Sequence, residues 1–456
     1  MLHGKKLDKT DKERNSMNID ELKPIFNGKR AVILGFGREG KTWLELLQRL
    51  KCAAEIAVAD MNPLEFDDPD IKPITGDHYL EECAEYDIIL QSPGVIIKNR
   101  LNSAAKAKIL TQTELLLRFR PCKIIGVTGT KGKSTTSSLI YHFLQANGIP
   151  SMLIGNIGVP PLKRLEEMTS DTVAVCEMSC HQLEFAKHSP NVAVLLNIFP
   201  EHLDHYVDFD AYANAKRNIA RFQEKTDFAF VNADLFPIES EGNIKSCAFG
   251  KKADVWTDGH SIYLNGIEIT PDKIKTRLCG KHNLYNIAVA LAAAEKTGAD
   301  VQKCLDSLSE FGGLEHRLER VAVINGVEYI NDSISTIPEA AIASVLAFDG
   351  ADCLILGGMD RGISYDVLGD FLNTGVVENV ILLPDSGRRI GKLITNHDVS
   401  VIEAENMEKA VTIASQVAKR RVILSPASAS YGFYRNFEER GRHFKELVNA
   451  LKAIPL

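Results

Sequence analysis

KIIGVTGTKGKSTT, residues 123–136, decides how the rest of the chain is read. An apolar run leads into two closely spaced glycines, and Lys133-Ser134 then opens a helix-like stretch. Strand, flexible loop, Lys-Ser and helix in that order suit a phosphate-binding loop. Glycines let backbone N–H groups approach phosphate oxygens, a lysine neutralises the β and γ oxygens, and a hydroxyl serves magnesium. The spacing departs from the usual G-x-x-x-x-G-K-[ST], because Val127 holds the expected first glycine position and Gly126 lies one residue further back. The bland alternative is a turn that binds nothing.

Downstream, TVAVCEMS ends a strand pattern at Glu177, and VAVLLNIFPEHLD ends another at Glu201-His202. In an open α/β sheet both ends would face the loop from the carboxyl edge, where ligands bind. A carboxylate and an imidazole there suit magnesium, although Glu177 alone could equally be a surface carboxylate. His202 and His205 form an H-x-x-H pair, but with no third ligand in view zinc is not favoured.

Upstream, AVILGFGREG (31–40) fits G-x-G-x-x-G between a strand and a helix. EIAVAD follows and ends at Asp60, about where an acid would meet a ribose hydroxyl. Gly35 and Gly37 would admit a pyrophosphate to the helix N-terminus. NAD is the obvious ligand, though not the only diphosphate that fits, and a tight turn without a ligand is the alternative. DIILQSPGV closes a third strand on the turn Ser92-Pro93-Gly94.

After His316 the scheme restarts with VEYINDS, CLILGGMDRG, NVILLPDSG and RRVILSPASAS, four strands interleaved with helical stretches. A length of 456 residues suggests about three domains. The expected fold class is α/β: a Rossmann-like domain over 21–120, a central P-loop ATPase-type α/β domain over 121–314, and a C-terminal Rossmann-like α/β domain over 315–456. Residues 1–20 are expected to be a disordered tail, and Met17 leaves the true start of translation open.

Composition narrows the function. With 45% hydrophobic and 25% charged residues the chain has the make-up of a globular protein, and a net charge of −7 offers no long-range attraction to nucleic acid. Nine cysteines without a C-x-x-C pair suit a reducing compartment better than a disulfide framework or a zinc ribbon. The charged opening is no secretory signal, and no segment has about 18 consecutive apolar residues, so a cytoplasmic protein without membrane insertion is expected.

The chain resembles the Mur ligases, and within them the glutamate-adding branch, from Gly35 to Phe444. GTKGKSTT is similar to the family's phosphate loop, GNIG (155–158) to its substrate loop, and EMSCHQLE (177–184) to its E-[LM]-S-x-x-Q-L-E block. The resemblance continues through LNIFPEHLDHY, GKHNLYNIAVALAA, GLEHRLE, the NDS at 331–333, and LSPASAS followed by NFEERG. It implies an ATP-dependent amide ligase that adds glutamate to UDP-N-acetylmuramoyl-L-alanine for the cell wall, with ATP and Mg2+ as cofactors. A cytoplasmic monomer is expected, serving peptidoglycan synthesis and through it cell shape and division.

Carried over, the resemblance assigns ATP to Gly129, Thr130, Lys131, Gly132, Lys133, Ser134 and Thr135. Asn283 and Asn286 match adenine-site residues, while Arg317 and Asp332 match residues that bring the third domain onto the nucleotide. Ser134, Glu177 and His202 would hold magnesium, with Lys216 in AYANAKRN as a carbamylated lysine near the metal; on sequence alone Lys216 reads as an ordinary exposed helix lysine. The catalytic set is thus Lys133, Glu177, His202 and Lys216. Gly35, Phe36, Asp60, Ser92 and Gly94 become contacts of the uridine diphosphate group, and Asn156 and Gln182 contacts of the sugar. Arg361, Ser430, Tyr431 and Phe437 would take the glutamate.

Two positions depart from the D-glutamate pattern. Ile334 stands where a lysine usually follows NDS, and Arg361 replaces the lysine after the glycine pair. Both suit a less common branch that adds L-glutamate, but the far commoner activity favours D-glutamate. The rivals are a related ligase adding another amino acid or acting on folate, a nucleotide-binding regulatory module, and an NAD-dependent dehydrogenase.

Overall fold

A computed structural model describes residues 16–202, 205–278, 280–348 and 350–451. Of the tail expected over 1–20, residues 1–15 lie outside the described residues. Met17 is buried and Asn18 caps a 3-10 turn at Ile19–Leu22. The protein forms two compact units, one made of the chain up to Lys275 with Lys281–Leu308, the other of Thr276–Gly280 and the chain from Ser309. No helix among the described residues is long and apolar enough to cross a membrane.

The first unit holds two sheets. β1 (Arg30–Leu34), β2 (Glu55–Asp60), β3 (Ile71–Thr75), β4 (Ile88–Gln91) and β5 (Ile109–Leu110) are parallel in the order β3-β2-β1-β4-β5. Strand order reverses beside β1, so Gly35, Asp60 and Ser92 emerge together at carboxyl ends, where the crevice of a doubly wound sheet lies. β3 was not anticipated: Pro73 interrupts its apolar pattern, and it is tolerated because β3 is an edge strand. Helix α1 (Arg38–Leu50) packs on this sheet because Trp43, Leu46, Leu47 and Leu50 recur at helical spacing and are buried. Each such side chain contributes roughly 1.5–3 kcal/mol.

The second sheet takes β6 (Lys123–Thr128), β7 (Ser151–Gly155), β8 (Val173–Glu177), β9 (Val192–Leu195), β10 (Phe228–Asn232) and β11 (Asn243–Phe249) as parallel strands. β12 (Val255–Thr257), β13 (Ile262–Leu264) and β14 (Ile267–Ile269) extend it, the last two as antiparallel hairpin strands. β6 lies between β8 and β9, with Val127 paired to Glu177 and Thr128 to Leu195. That register sets the glycine loop between the strand ends that carry Glu177 and Asn197. Around it lie α2 (Gln112–Phe119), α3 (Lys133–Ala146), α4 (Cys180–Leu183), α5 (Phe209–Arg221) and α6 (His282–Glu295).

The second unit carries β15 (Glu319–Ile324), β16 (Val327–Asn331), β17 (Ala351–Gly358), β18 (Val377–Asp385), β19 (Ser400–Glu403) and β20 (Arg421–Leu424), ordered β15-β16-β20-β17-β18-β19. Four of these match the strands read from sequence. The antiparallel β15 and the short, largely exposed edge strand β19 were not read: β15 has an apolar run, VAVI at 321–324, that the reading passed over, and β19 offers only Val401 and Ile402 between polar residues. The last described element is α7 (Phe437–Leu451).

Candidate functional site

Backbone geometry shapes the first site. Gly35 follows β1 at φ +87°, and a Cβ on Gly40 would lie 2.1 Å from the Gly35 carbonyl oxygen, so the glycines let α1 approach the strand end closely. Ser92 Oγ donates to Gly35 O at 2.7 Å, and Phe36 N donates to Asp60 Oδ2 at 2.9 Å. Burial pushes the Asp60 carboxyl up, but the N–H groups of Phe36 and Asn62 outweigh it and hold the acid below the usual carboxylate range.

These residues open onto a cavity of about 650 Å³. Gly35, Phe36, Asp60, Ser92, Gly94, Asn156 and Gln182 all line it, although they come from both sheets of the unit. Arg38, Glu39 and Tyr79 line it as well. The cavity leads toward the second site through Asn156, whose Nδ2 donates to Glu177 Oε1 at 2.7 Å. Glu177 is fully buried, and its Oε2 has no hydrogen-bond partner among the described residues.

The glycine loop after β6 is braced by its neighbours. Gly132 caps α3 at φ +89°, and a Cβ there would lie 2.8 Å from Asn286 Oδ1, so α6 approaches the loop directly. Asn286 in turn donates to Asn283 Oδ1 at 2.9 Å. Thr130 accepts from Phe199 N and meets the Tyr212 hydroxyl at 2.8 Å, while Lys131 N donates to Asn197 Oδ1 at 2.8 Å. The Lys131 side chain pairs with Glu201 at 2.7 Å. Ser134 and Thr135 are half-buried in the first turn of α3.

Lys133 Nζ donates to the carbonyls of Gly129 and Thr130 at 3.0 and 3.1 Å. Lys216, read from sequence alone as an exposed helix lysine, is instead only 2% exposed; it reaches Gly129 O at 2.9 Å, with Nζ 5.0 Å from the Tyr212 ring centroid. The apolar face of α5 carries it inward. Burial pushes its ammonium down to about 8. His202, at φ +57°, packs edge-on to His181 with ring centroids 4.9 Å apart and lies 6.2 Å from Tyr212. His205 is buried against Glu184 at 3.0 Å.

No group of three or more His, Cys, Asp or Glu among the described residues is arranged to hold a metal ion. Magnesium seldom needs one: it is commonly held by one or two carboxylates with substrate phosphates and water. The unpartnered Oε2 of Glu177 fits that role.

In the second unit, Asp332 accepts from Leu318 N and Ser425 Oγ at 3.1 and 2.9 Å; burial pushes it up to about 6 despite these bonds. Arg317 is exposed. Arg361, also exposed, donates to Thr336 O at 2.8 Å. A cavity of about 260 Å³ is lined by Ser430 but not by Arg361, Tyr431 or Phe437. Tyr431 is exposed, and Phe437 opens α7 with its carbonyl accepting from Ser333 Oγ. Arg440, which lies within NFEERG but was assigned no role, is buried and donates to Ser333 Oγ, Ser333 O and Ser428 O at 2.8–3.0 Å. Asn197, Tyr212 and Glu39 were likewise not singled out, since isolated polar residues in strand ends and helices carry no spacing signal.

The Mur ligase middle domain profile matches residues 127–294. A UDP-N-acetylmuramoylalanine–D-glutamate ligase of Clostridium kluyveri is 32% identical, over 95% of this chain and 99% of its own length. The enzyme of the same name from Geobacillus kaustophilus is 35% identical over 94% and 100%. Among solved structures, a UDP-N-acetylmuramate-alanine ligase of Thermotoga maritima superposes with a TM-score of 0.59 at 16% identity, covering 92% of this chain and 99% of that one. A MurF ligase of Thermotoga maritima in complex with ADP gives 0.55 at 19% identity, covering 97% and 100%. At such identities these structures speak to the fold alone.

Proposed function

The chain belongs to the Mur ligase family, and we propose that it joins D-glutamate to UDP-N-acetylmuramoyl-L-alanine, converting ATP to ADP and phosphate. The observation that carries this reading is the single cavity that gathers Gly35, Phe36, Asp60 and Ser92 with Asn156 and Gln182, and leads through Asn156 to Glu177. The uridine diphosphate group would lie over the N-terminus of α1, with the sugar and alanyl carboxylate directed toward the phosphate loop. NAD, the other diphosphate suggested by G-x-G-x-x-G, gives no role to the loop after β6.

A carboxylate cannot expel oxide, so amide formation needs an activated acyl group. An oxygen of the alanyl carboxylate attacks the γ-phosphorus of ATP and ADP leaves. The glutamate amine then attacks the acyl carbon, loses a proton, and phosphate departs from the tetrahedral intermediate. Lys133 and the backbone N–H groups at the start of α3 would stabilise the transferring phosphoryl group. Thr130, Asn197 and Tyr212 position the loop. Magnesium, held by Ser134, Glu177 and His202 with Lys216 in carbamylated form nearby, would supply charge neutralisation at the phosphate oxygens. Asn283 and Asn286 would meet the adenine. Arg317 and Asp332 are assigned to ATP, and Arg361, Ser430, Tyr431 and Phe437 to the glutamate.

A second reading, L-glutamate as acceptor, is favoured by Ile334 and Arg361, which both stand where the D-glutamate pattern has lysine. Arg361 suits a carboxylate of either enantiomer as a planar bidentate donor. The protein would work as a monomer in the cytoplasm, where its nucleotide substrate and ATP are found, supporting cell-wall synthesis and hence shape and division. Isolation of a product heavier than UDP-N-acetylmuramoyl-L-alanine by one glutamyl residue tests the proposal; recovery of unchanged nucleotide with all substrates present would refute it.

A further inference from the structure

An acid lines the cavity that would receive the diphosphate. Glu39 is the second residue of α1, where a carboxylate is ordinarily exposed and stabilised by the helix dipole. Here the carboxyl is withdrawn. Its Oε1 accepts from Gln182 Nε2 at 3.0 Å, and its Oε2 is buried with no hydrogen-bond partner among the described residues. The Gln182 amide cannot reverse its role, because its own oxygen accepts from Ser179 N at 3.0 Å. Oε1 is therefore the acceptor oxygen, and Oε2 is the atom left to carry a proton.

The surroundings favour the neutral acid. Arg38 is the cation beside it on α1, and it acts against the effect of burial. From α4 comes the neutral Gln182 and from α2 the neutral Gln112, whose Nε2 donates to Glu39 O at 2.9 Å. From β8 comes the Cys176 thiol, which burial and then the charges of Glu39 and Glu177 push up. Asp60 and Tyr79 line the same cavity. Burial, opposed by Gln182 and Arg38, raises the Glu39 carboxyl to about 7.

We propose that Glu39 makes binding of the nucleotide diphosphate proton-linked: the neutral carboxyl admits the polyanion, and the ionised carboxylate repels it. This rests on the nucleotide reading of the cavity and adds to it a control by pH. The sign follows from charge. A bound diphosphate adds negative charge near Glu39 and raises its proton affinity, so the complex holds more proton than the free protein. Affinity is then highest below the neutral range and falls above it, approaching about tenfold per pH unit while the free protein has lost the proton and the complex retains it.

The test is calorimetric titration of the full chain with UDP-N-acetylmuramoyl-L-alanine from pH 6 to 9, without ATP or magnesium. The ligand's diphosphate diester and carboxylate stay ionised throughout, so they contribute no slope. For the wild-type protein the expected result is affinity that falls above pH 7, with proton uptake revealed at pH 8 by buffers of different ionisation enthalpy. Glu39→Gln should bind with no such fall and no uptake. A flat wild-type profile without proton uptake, or an unchanged slope in Glu39→Gln, would overturn the proposal while leaving the nucleotide site standing. Absence of binding at every pH would overturn the nucleotide reading and this inference with it. The uptake measurement needs only the wild-type chain, so absence of uptake overturns the proposal even if Glu39→Gln does not fold, and Glu39→Ala then takes its place as the variant whose slope must vanish.

Discussion

Lys133 and Lys216 converge on one acceptor: their Nζ atoms lie 3.0 and 2.9 Å from the carbonyl oxygen of Gly129, although 83 residues separate them in sequence (216 − 133). Two ammonium groups on one backbone oxygen repel each other, and that repulsion adds to burial in lowering the proton affinity of Lys216. The arrangement holds two lysines beside the loop that would meet the phosphates of ATP.

Lys133→Ala removes a charge from this site without removing core volume. Ligation should be lost, by at least about a hundredfold in kcat, while circular dichroism and Tm stay close to wild type. Near-normal turnover would rule out the role given to the lysine in phosphoryl transfer.

For Lys216 the expectation is different in kind. If its side chain works as a carbamate, Lys216→Ala should lose activity, and added bicarbonate should not restore it, because no amine remains to react. A Lys216→Ala enzyme with the wild-type rate would show that the position has no catalytic part.

Gly40→Ala tests the close approach of α1 to β1. The new Cβ would meet the Gly35 carbonyl at 2.1 Å, a backbone atom that cannot turn aside. Stability should fall by about 1–3 kcal/mol, read from urea unfolding, and the KM for the muramoyl nucleotide should rise more than that for ATP. Equal effects on both substrates would argue that the glycine loop does not serve the diphosphate.

In the second unit, Arg361→Ala should raise the apparent KM for glutamate more than that for ATP, with Tm unchanged because the side chain is exposed. A KM for glutamate equal to wild type would remove Arg361 from the acceptor site.

Much of this was legible in the sequence because the decisive residues sit at strand ends. Gly35, Asp60, Ser92, Glu177 and the loop from Gly129 each follow an apolar run, and parallel sheets align such ends at one edge. Residues that act through long-range packing were harder to read. Lys216 resembles a surface lysine until α5 turns its face to Gly129, and Glu39 resembles an ordinary helix-start acid until Gln182 meets it 143 residues later. β3 and β19 escaped because edge strands tolerate proline and polar residues that erase the apolar pattern.

The central claim is an ATP-driven coupling of glutamate to the muramoyl-alanine nucleotide, and phosphate release tests it most directly. The purified chain is given ATP, magnesium and UDP-N-acetylmuramoyl-L-alanine, with D-glutamate, L-glutamate or neither. Release should require the nucleotide and occur with D-glutamate. Release only with L-glutamate would contradict the D assignment and establish the second reading, and release with neither enantiomer would contradict glutamate ligation altogether.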